Sequence, residues 1–309
     1  MTRSKLLSAV EATGAVVIWG ASFVATKYAL RFASPDVVVW LRFALGVVVL
    51  GAAVWLRRQF VPVNRKDTAY FILVGFIGIA LHQWLQSNGM VTSQATTTAW
   101  IVASIPAVSA LIGWLALKER LTVIQLMGVL VAAVGVLVVI TRGDLRQLAQ
   151  GRFGAPGDFL ILLSSPNWAI FSVLSRYGLR KYPATLMMFY VMLWGWLLYL
   201  PLFLASDGLQ ALPRLALPAW GTLAFLGFFS SGLAYIFWYD ALQVFSAGQT
   251  NTFVYLEPLV TVIVAALWLN EKPGWAVGLG GCLILAGVWL VNHRDLLTGR
   301  NYGKKGTFV

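Results

Sequence analysis

The sequence predicts an all-α integral membrane protein of ten transmembrane helices, built as two inverted five-helix repeats. Three observations carry this expectation. Of the 309 residues, 59% are hydrophobic and 11% charged, against about a quarter charged in soluble domains. The apolar residues gather into ten runs of roughly the 20 residues that a span requires. The second half of the chain also repeats motifs of the first, in the same order.

The expected spans run, in order, over about 9–29, 36–56, 69–87, 91–117, 121–140, 157–177, 183–204, 217–239, 246–269 and 273–292. The first follows a basic start, MTRSKLLS. Its apolar run continues to Ala29 without a convincing cleavage site, so it reads as a span rather than a signal peptide. All ten should be helical, because backbone groups in lipid must be satisfied within the segment. Barrel strands would alternate apolar and polar residues, which these runs do not. In the sixth span Pro166 is expected to kink the helix or stop it early.

The mean hydropathy is +0.79. The formal net charge of +12 suits loops between spans rather than nucleic-acid binding. With the first end inside, the Lys and Arg residues cluster on that side, among them Arg57, Arg58, Arg65, Lys66, Arg180 and Lys181. Both termini are therefore expected in the cytoplasm. The single cysteine, Cys282, excludes an internal disulfide and a zinc cluster.

The repeat is read from paired motifs. Pro106 is followed by Glu119 at the same spacing as Pro258 by Glu271. Gly128 and Gly135 match Gly280 and Gly287; Ala95 and Thr98 match Ala247 and Thr250; Gly75 and Asn88 match Gly227 and Asp240. Trp19 precedes Lys27 as Trp168 precedes Arg176. Five spans per half is an odd number, so the second half would insert upside down. Inverted repeats are common in secondary transporters, and channels can have them too. The expected division is 1–145 and 146–295 for the repeats and 296–309 for a polar tail.

The stretches WGASFVATKYAL, WLRF after Pro35, Pro106 to KERL, and LEPLVTVIVAALWLNEKP resemble the drug/metabolite transporter superfamily. Its EamA-type ten-helix exporters, including the YddG-like amino-acid exporters, are most similar. The resemblance covers about 11–292. It implies a central cavity ringed by helices 1, 3, 4, 6, 8 and 9, and export of amino acids, related metabolites or xenobiotics across the bacterial inner membrane. Partners are then a small-molecule substrate and the bilayer, the chain being a monomer or a weak homo-oligomer. No cofactor or metal is expected.

Glu257 is the sharpest candidate binding residue. A mid-bilayer carboxylate costs about 3 kcal/mol and usually faces a cavity or a partner. It could bind an amine or carry a proton; equally, it could bond neighbouring helices. Trp19 with Ser22, and Trp168 with Ser172, share helix faces and could form two aromatic walls, or simply pack. His82 and Gln86 lie a turn apart in the third span, and Tyr235, Trp238 and Tyr239 in the matching part of the eighth. Proton coupling through His82 is an alternative to Glu257. Thr98, Trp100, Ser104, Asn251 and Tyr255 would complete the lining, although a Ser or Thr can as easily bond its own helix.

Arg42 is expected to pair with a carbonyl or carboxylate; it could bind a substrate carboxylate, but the peripheral placement that the resemblance implies favours a structural role. Lys27 is expected to snorkel outward, and Glu119 and Glu271 to be structural ends of the repeat motif. No Walker loop and no catalytic triad or paired carboxylates are visible. A carrier is thus favoured over a passive channel, and over a membrane enzyme. The aromatic residues of the expected cavity favour aromatic amino acids as cargo.

Overall fold

The computed structural model describes residues 4–118, 121–144, 146–150, 153–245, 250 and 252–292. Among these residues there are helices and no strands. Nine helices are long and apolar enough to cross a membrane, and a tenth apolar helix is shorter. They are α1 Lys5–Ala29, α2 Pro35–Leu56, α3 Arg65–Thr92, α4 in two pieces (Ala95–Ala103 and Ile105–Leu117), and α5 Val123–Ile140. The second half follows as α6 Pro156–Lys181, α7 Ala184–Ala205, α8 Leu217–Ala241, the short α9 Leu256–Trp268, and α10 Trp275–Asn292.

Local chemistry explains where the helices begin. Ser4 caps α1, its hydroxyl accepting from the Leu7 N–H at 3.2 Å, so the helix starts at Lys5 rather than near residue 9. Asn64 likewise caps α3 through the Asp67 N–H at 2.8 Å. Thr122 and Gln125 form a capping box at α5. Proline stands at the first turn of α2 and α6, where its missing N–H costs nothing. Pro106 and Pro258 lie in the first turns that restart α4 and begin α9.

Several spans differ from expectation. α3 runs on to Thr92, and α4 begins at Ala95 rather than near 91. The reason is Lys27, which donates to the carbonyls of Met90 (2.6 Å), Val91 (3.1 Å) and Ser93 (2.7 Å) and so satisfies the end of α3. In the sixth span, Pro166 does not stop the helix: α6 continues through it to Lys181. Neighbouring helices can compensate for a proline in a span, and Asn167 bonds the Ile77 carbonyl across to α3 at 2.8 Å.

α5 packs along α10, α2 on α7 and α8, α3 on α6 and α7, α1 on α8 and α9, and α4 on α6 and α9. Glycine sets the closest approach. A Cβ on Gly128 would lie 2.6 Å from the Gly287 carbonyl oxygen, and one on Gly135 2.6 Å from that of Gly280. Residue numbers rise on one helix as they fall on the other, so α5 and α10 run antiparallel. Both α3 and α8 widen into π-helical turns, over Phe76–Leu81 and Phe225–Leu233. Such turns often mark functional segments.

Candidate functional site

The candidate site residues fall into two groups, one on α1, α8 and α9 and the other on α3 and α6. Trp19, on α1, donates its indole N–H to the Ser230 carbonyl in the π-helical part of α8 at 3.2 Å. Its ring meets Tyr235 edge-on and Trp238 at a tilt, each at 5.4 Å. A second aromatic group lies on α3 and α6. There the buried His82 ring sits 4.7 Å from Trp168, which sits 4.9 Å from Phe171. The His82 ring also lies close to the Ser164 backbone. Its Nδ1 is buried with no hydrogen-bond partner among the described residues.

Glu257 lies in the first turn of α9 and is 8% exposed. Its backbone is pinned to α1. The Thr261 hydroxyl reaches both the Glu257 carbonyl (2.9 Å) and the Gly20 carbonyl (2.8 Å), and a Cβ on Gly20 would come within 2.7 Å of the Glu257 oxygen. Gly20 follows Trp19, so the carboxylate helix is fixed beside the first aromatic group. No hydrogen bond or ion pair to the Glu257 carboxylate is found among the described residues.

Other sequence candidates fall elsewhere. Trp100 is buried against the backbone of Gly281 on α10. Thr98 and Ser104 spend their hydroxyls on their own helix, at the Gln94 and Ile101 carbonyls. Ser22 does the same at Trp19, and Ser172, which is exposed, at Trp168. Tyr239, by contrast, is buried in the same apolar cluster as Tyr235, against which Trp19 and Trp168 also pack. Tyr255 accepts from the Asn292 side chain at 2.7 Å, at the end of α10. Gln86 is half-buried one turn from His82. Asn251, Glu119 and Ala247 lie outside the described residues.

Several charged groups show their partners only in three dimensions. Arg42 is 7% exposed and donates to Ser231 Oγ and Ser230 Oγ at 3.1 Å, and to Thr26 Oγ1 and Gln83 Oε1 at 3.5 Å. Glu271 grips the start of α4, accepting from the Ala95 N–H (2.9 Å), the Thr96 N–H (3.1 Å) and the Thr96 hydroxyl (2.7 Å). Ser93 donates to Asp158 nearby at 2.5 Å. At the opposite end of the bundle, Arg57 binds both oxygens of Asp240, at 2.8 and 2.6 Å, and also Thr185 at 3.2 Å. The hydrogen bonds to Asp240 raise the Arg57 pKa further. The one sequence signal for these groups is charge inside or at the edge of an apolar run.

Comparison with known proteins decides the family. The profile of the EamA-like transporter family matches residues 7–141 and again 155–293. The chain belongs to the EamA-like transporter family. Relatives within this class include the uncharacterized transporter YyaM of Bacillus subtilis (strain 168), 27% identical over 82% of this chain and 83% of its own. A probable terminal-alkyne amino-acid exporter of Streptantibioticus cattleyicolor is 27% identical over 91% of this chain and 92% of its own. One crystal structure matches with a TM-score of 0.66 at 19% identity, covering 96% of this chain and 99% of that one, which shows the shared fold. This EamA-like chain is thus a multi-pass membrane transporter rather than an enzyme, and its small-molecule cargo crosses a lipid bilayer.

Proposed function

We propose that this EamA-like transporter exports amino acids, aromatic ones first, across the inner membrane by alternating access, with both termini cytoplasmic. The observation that carries the reading is the aromatic group Trp19–Tyr235–Trp238 with the buried Glu257 held beside it on α9; the pair His82–Trp168 supplies a second aromatic face. Indole and phenol faces suit a flat side chain. A carboxylate with no hydrogen-bond or ion-pair partner among the described residues suits an ammonium group. The similarity to a probable amino-acid exporter points the same way.

Alternating access needs two halves that rock about a shared centre. The inverted division into 1–145 and 146–295 is supported by contacts that recur with the halves exchanged. Gly46 packs on Ser231, and Gly195 on Ile79; Gly75 meets the Val191 carbonyl, and Gly227 the Arg42 carbonyl. Gly128 meets Gly287 as Gly135 meets Gly280. Matching the halves as Trp19 to Trp168 and Gly75 to Gly227 turns each contact into its partner, as a two-fold axis would. The double match to the family profile agrees.

The test is counterflow. Proteoliposomes loaded with unlabelled amino acid should take up labelled Phe and Trp saturably, and Trp168→Ala should reduce that uptake at least tenfold. Flux that neither saturates nor depends on loading would indicate a passive facilitator. No uptake with Phe, Trp, Thr or Cys would remove amino acids and leave another metabolite or a xenobiotic as cargo.

A further inference from the structure

We propose that Arg42 and Glu257 grip the two charged ends of a zwitterionic substrate, Arg42 taking the carboxylate and Glu257 the ammonium, on either side of Trp19 and Tyr235. The inference rests on the amino-acid reading above. It adds a residue, Arg42, that sequence alone assigns to structure.

An arginine inside a span is expensive and normally finds a carboxylate. All four hydrogen-bond partners of Arg42 are uncharged: two serine hydroxyls at 3.1 Å, and a threonine hydroxyl and an amide oxygen at 3.5 Å. The last two are at the limit of a hydrogen bond and easily displaced. The planar guanidinium fork matches a carboxylate through two parallel bonds. Glu257 is the converse, a 92% buried acid (8% exposed) whose side chain has no hydrogen-bond partner among the described residues. The two residues form no ion pair with each other.

Geometry puts both beside the same aromatic pair. Ser230 gives its hydroxyl to Arg42 and its carbonyl to the Trp19 indole. Gly20, next in the chain to Trp19, is in contact with the Glu257 backbone. Tyr235, which packs on Trp19, lies within electrostatic reach of Arg42 and of Glu257. A zwitterion would supply both missing counter-charges at once. It carries no net charge itself, so each end is neutralised where it binds. A simple amine or a simple acid would leave one buried ion exposed to its full desolvation cost.

The experiment compares substrates that differ only in these ends. Wild-type proteoliposomes taking up labelled L-phenylalanine by counterflow are challenged with unlabelled L-phenylalanine, phenethylamine (no carboxylate) and phenylpropionate (no ammonium). Each analogue should compete about 30-fold more weakly or worse, the scale for truncating one member of a buried charge pair. In Arg42→Gln, L-phenylalanine should weaken by about 30-fold while phenethylamine changes less than about threefold. Glu257→Gln should do the same with phenylpropionate as the spared ligand, and Arg42→Lys should restore part of the loss.

An analogue that competes as well as L-phenylalanine in the wild type overturns the grip, and this result needs no variant to fold. So does a parallel loss of L-phenylalanine and phenethylamine in an Arg42→Gln protein that elutes and melts like the wild type. Counterflow without charge discrimination overturns the grip alone. Absence of counterflow with every amino acid overturns the transport reading, and the grip with it.

Discussion

At the scale of single residues, Trp19 illustrates how a spanning aromatic can be both wall and strut. Its ring faces Tyr235 and Trp238, while its N–H satisfies a carbonyl in the π-helical part of α8. Trp19→Phe keeps the stacking and loses one hydrogen bond, worth about 1 kcal/mol. Trp19→Ala loses both. Initial counterflow rates should therefore fall about fivefold or less in Trp19→Phe and at least tenfold in Trp19→Ala, with the melting temperature in detergent dropping in the same order. Equal losses in the two variants would mean that the hydrogen bond, not the aromatic face, is what matters. Trp19 and Trp168 were legible because helical spacing sets them on faces. Ser22, Ser172, Thr98 and Ser104 share that spacing, yet their hydroxyls turn back on their own helices. Periodicity cannot tell a hydroxyl that faces outward from one that folds back.

Among the helices, glycine and caps govern contact. The α5–α10 seam depends on Gly128, Gly135, Gly280 and Gly287, where even a methyl group would meet backbone. Gly135→Leu must push the two helices apart, at a cost of about 1–3 kcal/mol as overpacking. Gly280→Leu should cost about the same, because each glycine faces the other. Thermal unfolding in detergent measures both, and a variant that melts like the wild type would remove the seam from the argument. Glu271 is a second device of this kind. It lies in the α9–α10 connection and caps the first piece of α4 with three hydrogen bonds. Glu271→Ala should destabilise by about 1–2 kcal/mol, the scale of a lost cap. It should also raise the labelling rate of a cysteine placed at Thr98, in a Cys282→Ser background, by a membrane-impermeant thiol reagent. Unchanged labelling would show that this cap does not hold that end of the bundle closed.

Across the whole molecule, the polar ties join one half of the chain to the other. Arg57 reaches Asp240 and Thr185; Asp67 receives bonds from Tyr177, Lys181 and Tyr182; Tyr199 reaches Asp36; Ser93 reaches Asp158. These ties sit toward helix ends, where the rocking motion proposed above would make and break contacts. The Arg57–Asp240 pair is bidentate, with Asp240 3% and Arg57 31% exposed. The partial exposure of Arg57 reduces what the pair contributes. Asp240→Asn should lower stability by about 1–3 kcal/mol. A double-mutant cycle with Arg57→Gln should return a coupling energy near the lower end of that range. A coupling near zero would mean that Asp240 acts through other neighbours.

The spans, their number and the family were legible in the sequence because each depends on local information. Bilayer thickness sets the length of an apolar run, and lipid leaves helix as the form it must take. Span ends were read less well where a distant residue intervenes: Lys27 completes α3, so that helix outlasts its apolar run. The same limit explains the site. Glu257, Trp19 and His82 declared themselves by being polar or aromatic within spans. Arg42 did not declare its surroundings, since its partners come from α1, α3 and α8 and are uncharged. Trp100 had the right composition and the right helix, yet it packs on Gly281. A helix carries its faces in its own sequence, whereas the neighbour each face meets depends on how all the helices pack. Which side chains lie beside one another was therefore settled by tertiary structure, and the membrane-spanning frame that holds them was settled by hydropathy.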